Sequence, residues 1–231
     1  SNGLTRNIVQ CLNDFDIPLY LSHTIVKIHG EKRVTGITVA KVDERMNPIP
    51  GTEFDIECDT VLLSVGLIPE NELSRNLDLD MYPLTTGPMV DQHRETSLDG
   101  FFAAGNVVHV HDLVDFVAEE SLIAGKYAAL KAQGKLSADV RTVKVNAIDG
   151  VRTCVPQRVT LPAEIPDDEK IKLYMRVGAP HRKVKLEVKS GDKVLLSKPL
   201  PVAKPSEMIA VEIPKAKFAE IGEEISVGLV M

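Results

Sequence analysis

The spacing of apolar residues changes along this chain and sorts it into regions. Leu4, Ile8, Cys11, Leu12 and Phe15 recur at helical intervals, which predicts that residues 4–14 close a helix. Ile17-Pro18-Leu19-Tyr20-Leu21 is a short apolar run with Pro18 near its start, the pattern of a strand. Residues 24–42 alternate in part, at Val26 and Ile28 and again at Ile37 and Val39, with Gly30-Glu31-Lys32 as a hairpin turn. Asn47-Pro48-Ile49-Pro50-Gly51 turns the chain again, and residues 54–58 alternate as a third strand. A three-stranded antiparallel meander is therefore predicted. Val61, Leu62, Leu63 and Val65 then form a nearly continuous run closed by Gly66, the pattern of a central strand covered on both faces. Pro69 is placed to open a short helix over 70–77.

The most informative stretch is residues 95–130. Phe101-Phe102-Ala103-Ala104 is a short apolar run, read as a buried strand, and Gly105-Asn106 breaks it. Beyond the polar segment His109-Val110-His111-Asp112, apolar and small residues recur at Val114, Val117, Ala118, Ser121, Leu122, Gly125, Ala128 and Ala129. That period predicts a long helix starting near Val114, with a stripe small enough to lie close to a sheet or a ligand. Asp112 is the expected N-cap, Asp115 suits the first turn, and Gly134 suits the C-cap. From Val143 the texture becomes short and strand-like: 143–145, 153–161, 171–177, 184–188, 194–196, 208–213 and 225–230, with turns at 179–182, 190–193 and 204–206. This predicts a small β-sandwich or barrel, with a short helix within 214–221.

Composition narrows the function classes. The 231 residues are 44% apolar and 26% charged, and the net charge of −6 disfavours a nucleic-acid groove. No apolar run approaches the roughly 20 residues of a membrane helix, and no secretory signal is visible. Cys11, Cys58 and Cys154 are far apart and form no CxxC, which reads as reduced thiols in a cytoplasmic protein. Ser1-Asn2-Gly3 reads as an expression scar on a piece of a longer protein. His109, His111 and Asp112 carry metal-ligand chemistry, but three neighbours in one loop lack the distant fourth ligand of a closed site, so no metal is expected. Glu119-Glu120 reads as a solvated helix face.

Two segments carry a resemblance. Thr96-Ser97 followed by Phe102-Ala103-Ala104-Gly105-Asn106 and the small-residue helix resembles the second flavin-binding motif of the FAD-dependent pyridine nucleotide–disulfide oxidoreductase family. Asp59, Val61, Gly66, Pro69 and Asn71 are similar to the family's strand that returns from the NAD(P)H domain to the FAD domain, with Ser64 in place of Ala and Asn71 displaced by one. Asn106 stands where the family has Asp; its amide oxygen still accepts a hydrogen bond, without charge assistance. The resemblance covers about residues 4–131 and implies an α/β, Rossmann-like region. Residues 1–66 would end the inserted NAD(P)H-binding domain, and 67–135 would be the C-terminal part of the FAD-binding domain. Residues 136–231 would form a β domain of unnamed family, a docking module for a redox partner or partner subunit. FAD and NAD(P)H are implied for the intact protein. Gly66, Gly105, Asn106, Val107, Val114, Asp115 and Phe116 are implied as cofactor-binding, with His109 or His111 near the ring. None of the chain's glycines makes a GxGxxG, so the chain alone is expected to bind no cofactor. The rival reading is a non-enzymatic interaction module on a degenerate flavin-binding scaffold.

Overall fold

The computed structural model describes residues 5–162 and 169–230, and the chain divides into two compact units between Gly66 and Leu67. Residues 1–4, including the proposed scar, lie outside the described residues. The protein is mostly β with few helices. Among the described residues, no helix is long and apolar enough to cross a membrane.

In the first unit, α1 (Thr5–Cys11) runs into a 3₁₀ turn at Asn13–Phe15. The antiparallel sheet follows, β1 (His23–His29), β2 (Gly36–Lys41) and β3 (Phe54–Ile56), in that order. Its registers pair His29 with Gly36 and Ile37 with Ile56, and a bulge interrupts β1 between Ile25 and Lys27. Val39, Ala40 and Val42 are buried apolar residues of this unit. Gly30 turns the hairpin at φ +103°, where an added Cβ would meet the Arg33 carbonyl at 1.9 Å, so only glycine closes this turn. Two expected strands do not form. Ile17, Leu19 and Leu21 are exposed and join no ladder. Residues 59–66 have no regular structure and join no ladder, and Leu62 and Val65 are each 90% exposed. A central strand needs a neighbour on both edges, and no described strand of this chain lies beside it.

The second unit begins with α2 (Glu72–Arg75), and its long helix is α3 (Val114–Ala132). Between them the chain is irregular. The expected strand at residues 101–104 is reduced to a single bridge between Glu95 and Phe102, and Phe101 is exposed. Side chains do the ordering here. The Asn71 amide donates to the carbonyls of Thr86 (3.1 Å) and Val107 (2.8 Å), tying three loop segments together.

The remaining strands are β4 (Val140–Ala147), β5 (Val151–Val155), β6 (Arg158–Pro162), β7 (Lys170–Val177), β8 (His181–Ser190), β9 (Lys193–Ala203), β10 (Ile209–Pro214) and β11 (Glu224–Val230). They form a three-stranded sheet, β10-β7-β5, and a five-stranded sheet, β6-β4-β11-β8-β9. Both contribute to one apolar core that includes Val143, Leu173, Leu186, Ile213, Phe218 and Ile225. The single run expected over 153–161 splits at Pro156, which has no N–H to continue a ladder, and the chain crosses from one sheet to the other there. The helix expected within 214–221 is a 3₁₀ helix at Lys215–Glu220. Leu186 lies fully buried between the sheets. Leu186→Ala is expected to cost about 2–5 kcal/mol of unfolding free energy, read by urea denaturation; a loss near zero would mean the two sheets share no core there.

Candidate functional site

The site is built where loop 105–112 meets α3. Gly105 adopts φ +73°, and its N–H donates to Glu120 Oε2 at 2.9 Å. Glu120 is fully buried, which overturns the expectation of a solvated face for residues 119–120. Its Oε1 lies 2.9 Å from His109 Nε2 and 3.2 Å from Arg94 Nη2, and its Oε2 lies 3.0 Å from His111 Nε2. A carboxylate only accepts, so both imidazoles carry their proton on Nε2. Burial alone would raise the Glu120 carboxyl; the hydrogen bonds from both histidines and the Arg94 charge outweigh it and hold the group well below the ordinary carboxylate range. Burial pushes His109 down, against the pull of Glu120. The Glu120 carboxylate therefore faces the Arg94 guanidinium, with His109 neutral at neutral pH.

Strand β7 supplies the other wall. Its odd residues, Ile171, Leu173 and Met175, enter the core, so Lys172, Tyr174 and Arg176 share the opposite face. Lys172 Nζ binds Glu119 (2.6 Å), and Tyr174 Oη donates to Glu119 Oε2 at 3.1 Å. The Tyr174 ring lies within 5.5–5.7 Å of the rings of His109, His111 and Phe116 and beneath the Arg94 guanidinium. Arg176 Nη2 donates to Asp112 Oδ1 (2.5 Å) and to the Val110 carbonyl (3.1 Å), while Met208 N–H donates to Asp112 Oδ2 (2.7 Å). Asp112 is therefore not the helix cap. The N-cap is Leu113, and no side chain caps the first turn of α3. The C-cap is Gln133, with Gly134 following at φ +65°.

A second cluster fastens the far end of α3. Glu169 accepts from Tyr127 Oη (2.7 Å) and pairs with His93 Nε2 (2.7 Å), and the His93 and Tyr127 rings stack at 3.7 Å. Lys131 binds Glu95 and Asp99. All three cysteines are free thiols. Burial pushes the Cys154 thiol up to about 12, so it carries no thiolate chemistry.

The residues proposed for cofactor binding separate as follows. Gly105, Asn106 and Val107 form one 3₁₀ turn. The Asn106 side chain is exposed, and its Oδ1 accepts from His111 N–H at 3.1 Å. Val114 and Asp115 stand exposed in the first turn of α3, whereas Phe116 turns inward to Tyr174. Gly66 belongs to the other unit, at φ +100° in a segment without partners within 4 Å of an added Cβ. A cavity of about 550 Å³ lies elsewhere, lined by Asp91, His93, Glu95, Asp99, Lys131 and Arg158 among others. Arg94, Glu120, Tyr174 and Arg176 complete the site, and sequence reading missed them. The alternation of β7 was the one available signal, since it puts Tyr174 and Arg176 on a face away from the core.

His109, His111 and Glu120 offer three ligand atoms within 4.8 Å of one another. Two features oppose a dication. The Arg94 guanidinium already balances Glu120. A metal-bound imidazole also donates its second N–H to an acceptor, and His111 Nδ1 is buried without one.

A family model described as pyridine nucleotide-disulphide oxidoreductase matches residues 3–121. The small chain of an NADPH glutamate synthase from Azospirillum brasilense is 29% identical over 122 residues, 48% of this chain and 25% of that protein. The chain thus spans about a quarter of the length of the curated relative it matches. A thioredoxin reductase structure from Gloeobacter violaceus is 18% identical over 51% of this chain and 35% of that one, with a TM-score of 0.28, too low to bear on the fold.

The buried cluster generates two predictions. Glu120→Gln leaves Arg94 without its counter-charge and is expected to cost about 3–5 kcal/mol in chemical denaturation, whereas added zinc leaves the Tm unchanged. A zinc-dependent rise in Tm, lost in His111→Gln, would overturn the metal-free assignment. Acid destabilises for a defined reason. The unfolded chain protonates His109 near its ordinary 6.5, while the folded chain holds it neutral to lower pH. Unfolding therefore takes up a proton, and stability present above 6.5 falls as pH drops through that value toward the folded one. Glu120, depressed from 4.5, adds a further loss below 4.5. Melting curves between about pH 8 and 5 read this, and His109→Gln is expected to flatten the upper part of the decline.

Proposed function

This chain belongs to the pyridine nucleotide–disulphide oxidoreductase family, and from that premise we propose that it is part of an FAD-dependent enzyme that moves hydride between NAD(P)H and FAD and on to a further acceptor. The observation that carries the reading is the turn at Gly105–Val107 leading into α3, whose first-turn N–H groups no side chain satisfies. Uncapped amides at a helix start are donors for an electron-rich edge. Gly105, Asn106 and Val107 would hold the ribityl side of FAD, and Val114, Asp115 and Phe116 would mark the ring side. FAD, when bound, supplies two-electron transfer. The chain's own part is to present oriented donors and to exclude water from one side. Asn106 retains a second lone pair beyond the bond from His111 N–H, so an additional hydroxyl donor is accommodated.

We place the pyrophosphate-binding loops outside these residues. No glycine-rich loop occurs in the 231 residues. Leu62, Leu63 and Val65 are exposed, as apolar residues would be if their sheet neighbours lay outside this chain. In this reading the chain by itself is inactive. A second reading, a non-enzymatic binding scaffold, is favoured by one observation: the Gly105 N–H is committed to Glu120 and so is not available to a ligand.

Flavin titration separates the two. FAD added to the purified chain is expected to show no tight binding and no perturbed flavin spectrum. Protein purified from the uninterrupted gene is expected to carry stoichiometric flavin, diminished in Asn106→Leu. Flavin-free protein from that gene would favour the scaffold reading.

A further inference from the structure

We propose that Arg176, in the C-terminal β-strand region, is a positioning residue that sets the charge at the flavin-facing end of α3. The inference rests on the flavin reading above. Asp112 and Asp115 both lie at that end, and a reduced flavin is anionic there, so uncompensated carboxylates would oppose reduction. Asp112 lies beside the helix start without capping it. Its Oδ1 is held by Arg176 and its Oδ2 by the Met208 N–H, both from the β-strand region. The pair is only about one-fifth exposed on each side, so its charges are weakly screened. Arg176 also donates to the carbonyls of Val110 and Pro205, which fixes its guanidinium across the two segments. Both Asp112 oxygens are thereby engaged by the β-strand region, and neither caps the first turn of α3. The neighbouring cations Lys172 and Arg94 are engaged by Glu119 and Glu120.

Charge and clamp make opposite demands on two variants, and this makes the proposal testable. Arg176→Met leaves Asp112 negative beside the helix start. Asp112→Asn leaves Arg176 positive there. Both break the same ion pair, so a purely structural clamp would move any readout in one direction. The measurement is the flavin midpoint potential of the flavin-loaded protein, with amide hydrogen exchange over 110–116 as a control on folding. Arg176→Met is expected to weaken reduced-flavin binding relative to oxidised by about tenfold, a shift of about 30 mV to more negative potential for a two-electron couple. Asp112→Asn is expected to shift it to more positive potential, and the double variant to return near the parent value. Should Arg176→Met fail to fold, the sign in Asp112→Asn decides alone. Potentials that are unchanged, or that move the same way in both variants, overturn the proposal and leave the flavin reading standing. Parent protein that binds no flavin overturns both.

Discussion

The buried carboxylate of Glu120 is the constraint from which the rest of the site follows. An ionised group removed from water is tolerated only when donors surround it. Glu120 takes four neighbours for its two oxygens: two imidazoles, one backbone N–H and one guanidinium. Three of the donors come from the loop 105–111 and the fourth from Arg94, so meeting the demand of one side chain also shapes the loop. Gly105 is pulled against α3 and takes a left-handed conformation, where an added Cβ would meet the Val117 side chain at 2.9 Å. Arg94, at φ +72°, is bent inward although its residue type disfavours that conformation. The backbone strain there is offset by the counter-charge it delivers.

Strand β7 carries this arrangement in two directions. Its core face holds the two sheets together, and its outer face grips α3 and the loop before it. Lys172 and Tyr174 meet Glu119, and Arg176 meets Asp112. Gln157 and Gln92 add further bonds between residues 90–92 and β6. The family match ends at residue 121, yet the compact unit runs from Leu67 through the last strand. The β-strand region is therefore not an appendage hung beyond a finished domain. The end of the loop after Gly105 is held by it, because Arg176 and the Met208 N–H bind Val110 and Asp112.

What could be read from sequence follows from the range of each interaction. The β4–β11 ladder was legible because alternation is a local property of a strand with one face in a core. The position of α3 was legible from its 3.6-residue period. Val61–Val65 and Phe101–Ala104 misled for one reason: an apolar run states that a segment prefers burial, not that a partner stands beside it. Glu120 misled in the opposite way. Adjacent glutamates are usually solvated, and only the return of Arg94, His109 and His111 to the same point makes burial favourable. Asp112 had the type and place of an N-cap, but an arginine some sixty residues away outbid the helix amides for its oxygens. Non-local electrostatics is the part of this site that periodicity does not encode.

Helix α3 finally shows two chemistries on one cylinder. Phe116, Glu119, Glu120, Ile123 and Tyr127 turn toward the β strands. Val114, Ala118, Leu122, Gly125 and Ala129 lie on the other side and are exposed, and a Cβ on Gly125 would meet nothing within 4 Å. A solvated helix face ordinarily carries charges that favour water and i,i+4 pairs. Here the outward face is small and apolar, so exposure brings it no hydration benefit and its small side chains remove steric bulk where none is crowded. That combination makes sense for a surface another layer approaches closely. The helix is thus anchored on one side by ion pairs and left smooth on the other.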